Sequence, residues 1–142
     1  LWLTERWRYI GRKPMPRALE AFAGLEVVYR CVVVTARGEQ ARGFTERWFR
    51  THLGHVPELH MRPSPTETSA QFKGRVVGEL APVAHFEDDP FTAAWLAELV
   101  PTIFLVDWRR NRWLTGTNIR RVASIADALP ELLERQAGRP AS

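Results

Sequence analysis

Short apolar runs that stop at polar residues constrain the fold of this chain more than any other feature. Three of them, residues 30–36, 83–87 and 102–107, are rich in β-branched and aromatic side chains, which favours buried β-strands. A further short strand is predicted at residues 58–62. Strands that are apolar on both faces are typical of parallel sheets covered by helices on both sides. The pattern therefore predicts a sheet enclosed by helices.

Segments with the apolar spacing of helices lie between these runs. Gly24 is predicted to close the first helix, and Pro130 to kink or break the last. Helices that alternate with apolar strands predict an α/β fold, a Rossmann-like three-layer sandwich with a mainly parallel sheet. The predicted helices cover residues 16–24, 40–53, 67–80, 91–99 and 124–136.

The composition favours a single domain over all 142 residues, with residues 137–142 as a frayed tail. No apolar run approaches the roughly 18 residues of a membrane span, so no membrane partner is expected. The one cysteine, Cys31, lies inside an apolar strand and has no second cysteine to pair with. We therefore expect a reducing, cytoplasmic setting. The oligomeric state stays open.

The positive charge comes mainly from arginine. The net charge is +4 and the sequence pI about 10.0, and Lys13 and Lys73 are the only lysines. Arginine suits phosphate, although arginine spread along a chain is also explained by coding bias. One local cluster has two interpretations. Its arginines could contact a phosphate backbone while its tryptophans stack on bases, or it is an exposed loop with tryptophans packed underneath. It consists of Trp108, Arg109, Arg110, Arg112 and Trp113.

Three consecutive acids, Glu87, Asp88 and Asp89, stand where an apolar strand ends. Carboxylate oxygens at the carboxyl edge of a parallel sheet suit Mg²⁺, which prefers one or two carboxylates together with water and substrate phosphate. Alternatively, Asp88 or Asp89 caps the helix that begins near Pro90, a common use of Asp before a helical Pro. Taken alone, the motif favours the cap.

The order of several motifs resembles a known family. A strand ending in threonine (VVVTAR), a later helical lysine, and a strand ending in paired acids (HFEDDP) resemble motifs two, three and four of the haloacid dehalogenase-like phosphohydrolases. Residues 9–22 look like the segment after the nucleophile motif in small, minimally capped members, and residues 103–114 are similar to the nucleotidase-like branch. The resemblance implies a Mg²⁺-dependent phosphomonoester hydrolase, with a nucleotide or nucleic-acid end phosphate as the favoured substrate.

The resemblance also implies roles for residues that would handle phosphate. Thr35 would hydrogen-bond the transferring phosphoryl group through its hydroxyl, aided by the backbone N–H groups of Ala36 and Arg37. Lys73 would neutralise the charge of the phosphate and the nucleophile. Arg75 lies close enough in sequence to reach the same edge, so the choice between these two cations stays open.

The same resemblance implies that Asp88, with Glu87 or Asp89, holds Mg²⁺. The family's nucleophile and general acid are two Asp residues spaced by one after the first apolar strand, but no Asp precedes Asp88 here, and the nearest carboxylate is Glu5. We therefore expect this strand upstream of Leu1, in the centre of the sheet. The alternative is a degenerate relative that kept the fold, lost the reaction, and binds nucleic acid or a protein partner.

Overall fold

The structure is a computed structural model that describes residues 2–5, 17–63 and 65–138, with the backbone alone at residues 2–5. Its strands are β1 (Trp2–Glu5), β2 (Arg30–Gly38), β3 (Glu58–Arg62), β4 (Ala84–Glu87), β5 (Thr102–Val106) and β6 (Ile119–Val122). Its helices are α1 (Ala18–Glu26), α2 (Arg42–Leu53), α3 (Ser69–Leu80), α4 (Pro90–Leu96) and α5 (Ile125–Ala137). Two 3₁₀ turns complete it, at Glu39–Ala41 and Arg109–Asn111.

The six strands form one parallel sheet in the order β3-β2-β1-β4-β5-β6. Side chains of α1, α2 and α5 pack against one face of the sheet, and side chains of α3 and α4 against the other. Because every strand runs in the same direction, all carboxyl ends lie at one edge. The predicted α/β, Rossmann-like sandwich is confirmed.

Aromatic side chains fill the larger core. The rings of Phe86 and Phe104 stack at a centroid distance of 4.9 Å, and both side chains are fully buried. On the other face, Gly74 permits close packing, because a Cβ atom there would collide with the indole ring of Trp95. The close approach of α3 to α4 positions the helix that carries Lys73.

Two predicted helix ends differ from the observed ones. Helix α1 continues through Gly24 to Glu26, since it packs along α5, where a Cβ atom at Gly24 would meet Leu129 at an ordinary 3.8 Å. Helix α5 runs through Pro130 as one element. Tertiary packing thus overrides two local breaking signals. Among the described residues, no helix has both the length and the apolar character needed to cross a membrane.

The centre of the sheet is occupied by β1, which lies between β2 and β4 and pairs Glu5 with Val33 and Thr4 with His85. We predicted that a strand upstream of Leu1 takes this place, whereas residues 2–5 take it in the structure. A four-residue strand that contains Thr and Glu lacks the apolar run typical of a central parallel strand, so the pattern did not predict it. The predicted linker at 9–16 and residues 139–142 of the predicted tail lie outside the described residues.

Candidate functional site

The carboxyl edge of the sheet brings three predicted site residues together. Thr35 lies near the carboxyl end of β2 and Asp88 directly follows β4, and these two strands flank β1. Two strand spacings separate them, or roughly 10 Å. Lys73 reaches this edge from α3, where its side-chain nitrogen meets Glu87 at the end of β4. Residues far apart in sequence therefore line one short stretch of the edge.

A buried ion pair lies at the middle of this stretch. Lys73 Nζ donates to Glu87 Oε1 at 2.7 Å, and both side chains are 0% exposed. The other oxygen, Oε2, accepts the backbone N–H groups of Asp88 and Asp89 at 3.0 and 3.1 Å, while His85 Nε2 lies 3.4 Å from Oε1. A buried charge pair is tolerated when its remaining hydrogen-bonding positions are satisfied in this way. Both oxygens of Glu87 are thus engaged within the protein.

Helix α3 turns its two basic residues in opposite directions. Lys73 points into the protein, whereas Arg75 is exposed and pairs with Glu67 at 2.9 Å. The hydrogen bond from Glu67 raises the pKa of Arg75 above its ordinary value. The geometry therefore selects Lys73 as the cation at the acidic strand end, a choice that the sequence left open.

Asp89 serves as a helix cap. Its Oδ2 accepts the backbone N–H of Thr92 at 2.8 Å, and Pro90 follows at the first position of α4. The capping interpretation is thus confirmed for Asp89. Asp88 is half-buried and is held through its main chain, since its carbonyl oxygen accepts hydrogen bonds from Trp108 Nε1 and Asn111 Nδ2, each at 2.9 Å.

The fully buried Asn111 ties the loop after β5 to the loop after β4. Its Nδ2 donates to the carbonyl oxygens of Asp88 and Val106, and its Oδ1 accepts from the backbone N–H of Trp108 and from Arg121. Sequence analysis missed this role, because the surrounding arginines marked the segment as a binding loop. The only signal was an Asn shortly after a predicted strand.

We expect Asn111→Asp to lower the free energy of unfolding by about 1–3 kcal/mol, because a carboxylate cannot donate to the two carbonyl oxygens. The change should also weaken any Mg²⁺-dependent stabilisation, since it releases the main chain of Asp88. Urea unfolding with and without Mg²⁺ measures both effects.

Asn118→Asp provides a matched control for this prediction. Asn118 Nδ2 donates to the carbonyl oxygens of Ala97 and Val100, away from the acidic strand end. This variant should lose comparable stability and keep the response to Mg²⁺. If both variants lose that response equally, Asn111 has no special link to the site.

Thr35 lies at an irregularity of β2. Thr35 pairs with Met61 and Gly38 pairs with Arg62, so Ala36 and Arg37 bulge out of the ladder with β3. The Thr35 side chain is nearly buried, and its Oγ1 accepts the backbone N–H of Arg37 at 3.2 Å. Bulges commonly lie next to active sites, where they redirect a strand end. The N–H of Arg37, predicted to bind phosphate, is thus already hydrogen-bonded to the threonine hydroxyl.

The donor groups at this edge suit Mg²⁺ only in part. Glu87 is engaged by Lys73 and by backbone N–H groups, and Asp89 caps α4. Within the described residues, no group of three or more His, Cys, Asp and Glu side chains is arranged to hold a metal ion. Mg²⁺ is usually held by one or two carboxylates, with water and substrate phosphate completing its shell. The edge therefore does not fit an ion bound by all three acids together.

Comparison with known proteins places the fold. No family model and no curated protein matches this sequence. Among solved structures, the chain is similar to a D,D-heptose 1,7-bisphosphate phosphatase from B. bronchiseptica complexed with magnesium and phosphate. The TM-score is 0.65 with 17% identity, over 94% of this chain and 98% of that chain. The fold is haloacid dehalogenase-like. At this identity the likeness shows the fold alone.

Proposed function

We propose that the complete protein is a Mg²⁺-dependent phosphomonoester hydrolase of the haloacid dehalogenase type. The observation that carries the proposal is the buried Lys73–Glu87 pair at the carboxyl edge, where Thr35 and Asp88 also lie at strand ends. Ligands of open α/β sheets bind at this edge. The similar heptose bisphosphate phosphatase, whose structure contains magnesium and phosphate, supports the same chemistry.

Each of the four residues can contribute through a group that the structure describes. The Thr35 hydroxyl accepts from Arg37 and keeps its own proton to donate to a phosphate oxygen. Lys73 neutralises Glu87, so that this carboxylate does not repel an incoming dianion. We assign Asp88 as the carboxylate that holds Mg²⁺, which neutralises developing charge on the transferring group.

The nucleophile is the missing part. An aspartate would attack phosphorus in line and break the ester P–O bond, so that the alcohol leaves after taking up a proton, and water would hydrolyse the phospho-aspartate to aspartate and inorganic phosphate. We place this aspartate upstream of Leu1, in a segment other than the central strand, which residues 2–5 form.

A non-catalytic relative is the second candidate, and one observation favours it. The residues that follow β1 are Arg6 and Trp7, with no Asp among them. Without an upstream strand, the edge would keep its phosphate-binding groups and lack a nucleophile. Such a protein would bind a phosphorylated ligand, a nucleic acid or a protein partner without turnover.

Hydrolysis assays on two forms of the protein test the proposal. We expect this chain to be inactive towards an aryl phosphate with Mg²⁺, and a version extended upstream to the natural start codon to be active. Asp88→Asn in the extended version should remove most of the turnover. Inactivity of both forms would favour the non-catalytic candidate. Turnover by the short chain that survives Glu5→Gln would refute our account of the nucleophile.

Mg²⁺ should raise the melting temperature of this chain by mass action, with about 2.7 kcal/mol of stabilisation at a concentration 100 times the dissociation constant. We expect Asp88→Asn to remove most of this effect. Asp89→Asn is the matched control, because Asn also caps helices well and should leave both α4 and the Mg²⁺ response intact. Equal responses in the unmodified chain and in the double Asp88→Asn, Asp89→Asn variant would exclude a metal site here.

A further inference from the structure

An exposed aromatic pair lies beside the candidate site. Phe91 stands at the start of α4, two residues after Asp89, and its ring centroid is 5.7 Å from that of Trp113 in the loop after β5. The two side chains are 75% and 60% exposed. Two large rings that contact each other and still face solvent leave apolar surface for a third ring. We refer to Phe91 and Trp113 as the aromatic platform.

The platform is anchored to the candidate metal residue. Trp108 and Asn111, which belong to the same loop as Trp113, both donate hydrogen bonds to the carbonyl oxygen of Asp88. The backbone of Phe91 is held in the first turn of α4, which Asp89 caps. A planar group stacked on the platform would therefore lie next to the carboxyl edge of the sheet.

Arginines surround the platform. Arg109, Arg110 and Arg112 are exposed on the same loop, and the guanidinium of Arg110 lies 5.3 Å from the ring centre of Trp108. Arg112 has one distant acidic neighbour, Asp107 at 3.7 Å, an exposed contact of little strength. Trp108 itself is half-buried and supports the loop, as in the alternative of an exposed loop over packed tryptophans.

We propose that this surface binds a single-stranded nucleic-acid end, with bases stacked on Phe91 and Trp113 and phosphates held by Arg109, Arg110 and Arg112. Proteins that bind single strands with little sequence preference combine aromatic side chains, which stack on bases, with cations that contact the phosphates. The terminal phosphate would point towards Asp88. This orientation rests on the proposed function, whereas binding of the strand does not.

The binding test uses this chain, a fluorescein-labelled single strand of roughly ten nucleotides with a terminal hydroxyl, and no Mg²⁺. Fluorescence anisotropy should show dissociation constants about 5- to 150-fold higher for Phe91→Ala and for Trp113→Ala. Trp113→Phe keeps a ring and should restore most of the affinity. Arg112→Gln should reduce the slope of log affinity against log salt by about 0.7. Melting curves of the exposed-site variants verify that they are folded.

Leu99→Ala is the control for a merely apolar contact, because Leu99 is also exposed just beyond α4 but lies outside the arginine loop. It should bind the strand as tightly as the unmodified chain. The proposal is overturned if the strand does not bind, if both alanine variants of the platform bind it normally, or if a mononucleotide or a duplex competes equally well. Adding a terminal phosphate and Mg²⁺ tests the hydrolase separately, so the two proposals can fail independently.

Discussion

Replacing Lys73 with methionine should lower the free energy of unfolding by about 3–5 kcal/mol, a large part of the 5–15 kcal/mol typical of a domain. Methionine fills a similar volume but leaves the carboxylate of Glu87 buried without its cation. The two backbone N–H groups on Oε2 and the nearby His85 ring remain, and they do not replace a full positive charge. Urea unfolding followed by circular dichroism measures the loss.

Arg75→Met is the matched control for this prediction. It removes the same charge from the same helix, but Arg75 is exposed, so its pair with Glu67 contributes little to stability. The double variant Lys73→Met, Glu87→Gln should regain more than half of the lost stability, because no unpaired charge is then buried. If Lys73→Met costs no more than Arg75→Met, the buried pair does not hold the strand end as we describe.

The second large effect is expected for Phe104→Ala, which should cost about 3–5 kcal/mol. Phe104 is fully buried on β5 and stacks on Phe86 of the neighbouring β4, so truncation removes that contact and leaves a cavity in the close-packed core. Chemical denaturation measures the loss in the free energy of unfolding. An unchanged slope of this free energy against denaturant concentration would show that the folded state stays compact.

Phe91→Ala is the control for this core change. The substitution is identical, but the Phe91 side chain is 75% exposed and contacts only Trp113 among the aromatic rings described. We expect a loss of about 1 kcal/mol or less. A Phe104→Ala variant as stable as this control would mean that the core relaxes around the missing ring.

Strands in the interior of the sheet were predictable because burial on both faces favours apolar residues at most positions. The runs in β2, β4 and β5 follow this pattern, although β4 also buries His85 and Glu87, and their observed ends lie within two residues of the predicted ones. The outer strand β6 was missed, since Arg120 and Arg121 give it no apolar run. A strand at the sheet edge needs only part of its surface covered, so its sequence carries a weaker signal.

The acidic strand end shows where prediction from sequence stops. From the sequence, three neighbouring carboxylates suit one metal ion. In the structure their contacts differ: Glu87 pairs with Lys73, Asp89 caps α4, and the carbonyl oxygen of Asp88 accepts hydrogen bonds from the loop after β5. Each outcome depends on which face of a strand or helix a residue occupies. The functional roles of these residues stay predictions until the variants are measured.

The sequence by itself determined the α/β class, the parallel arrangement of the strands and the sheet edge at which chemistry is expected. These follow from local periodicity and from the polar residues that end apolar runs. Only the tertiary structure decided which partners meet there. The rotation of α3 buried Lys73 and exposed Arg75, and the return of the loop after β5 brought Trp113 to Phe91. The Lys73–Glu87 and Phe91–Trp113 contacts join residues 14 or more positions apart, and no local pattern encodes how those segments are oriented towards each other.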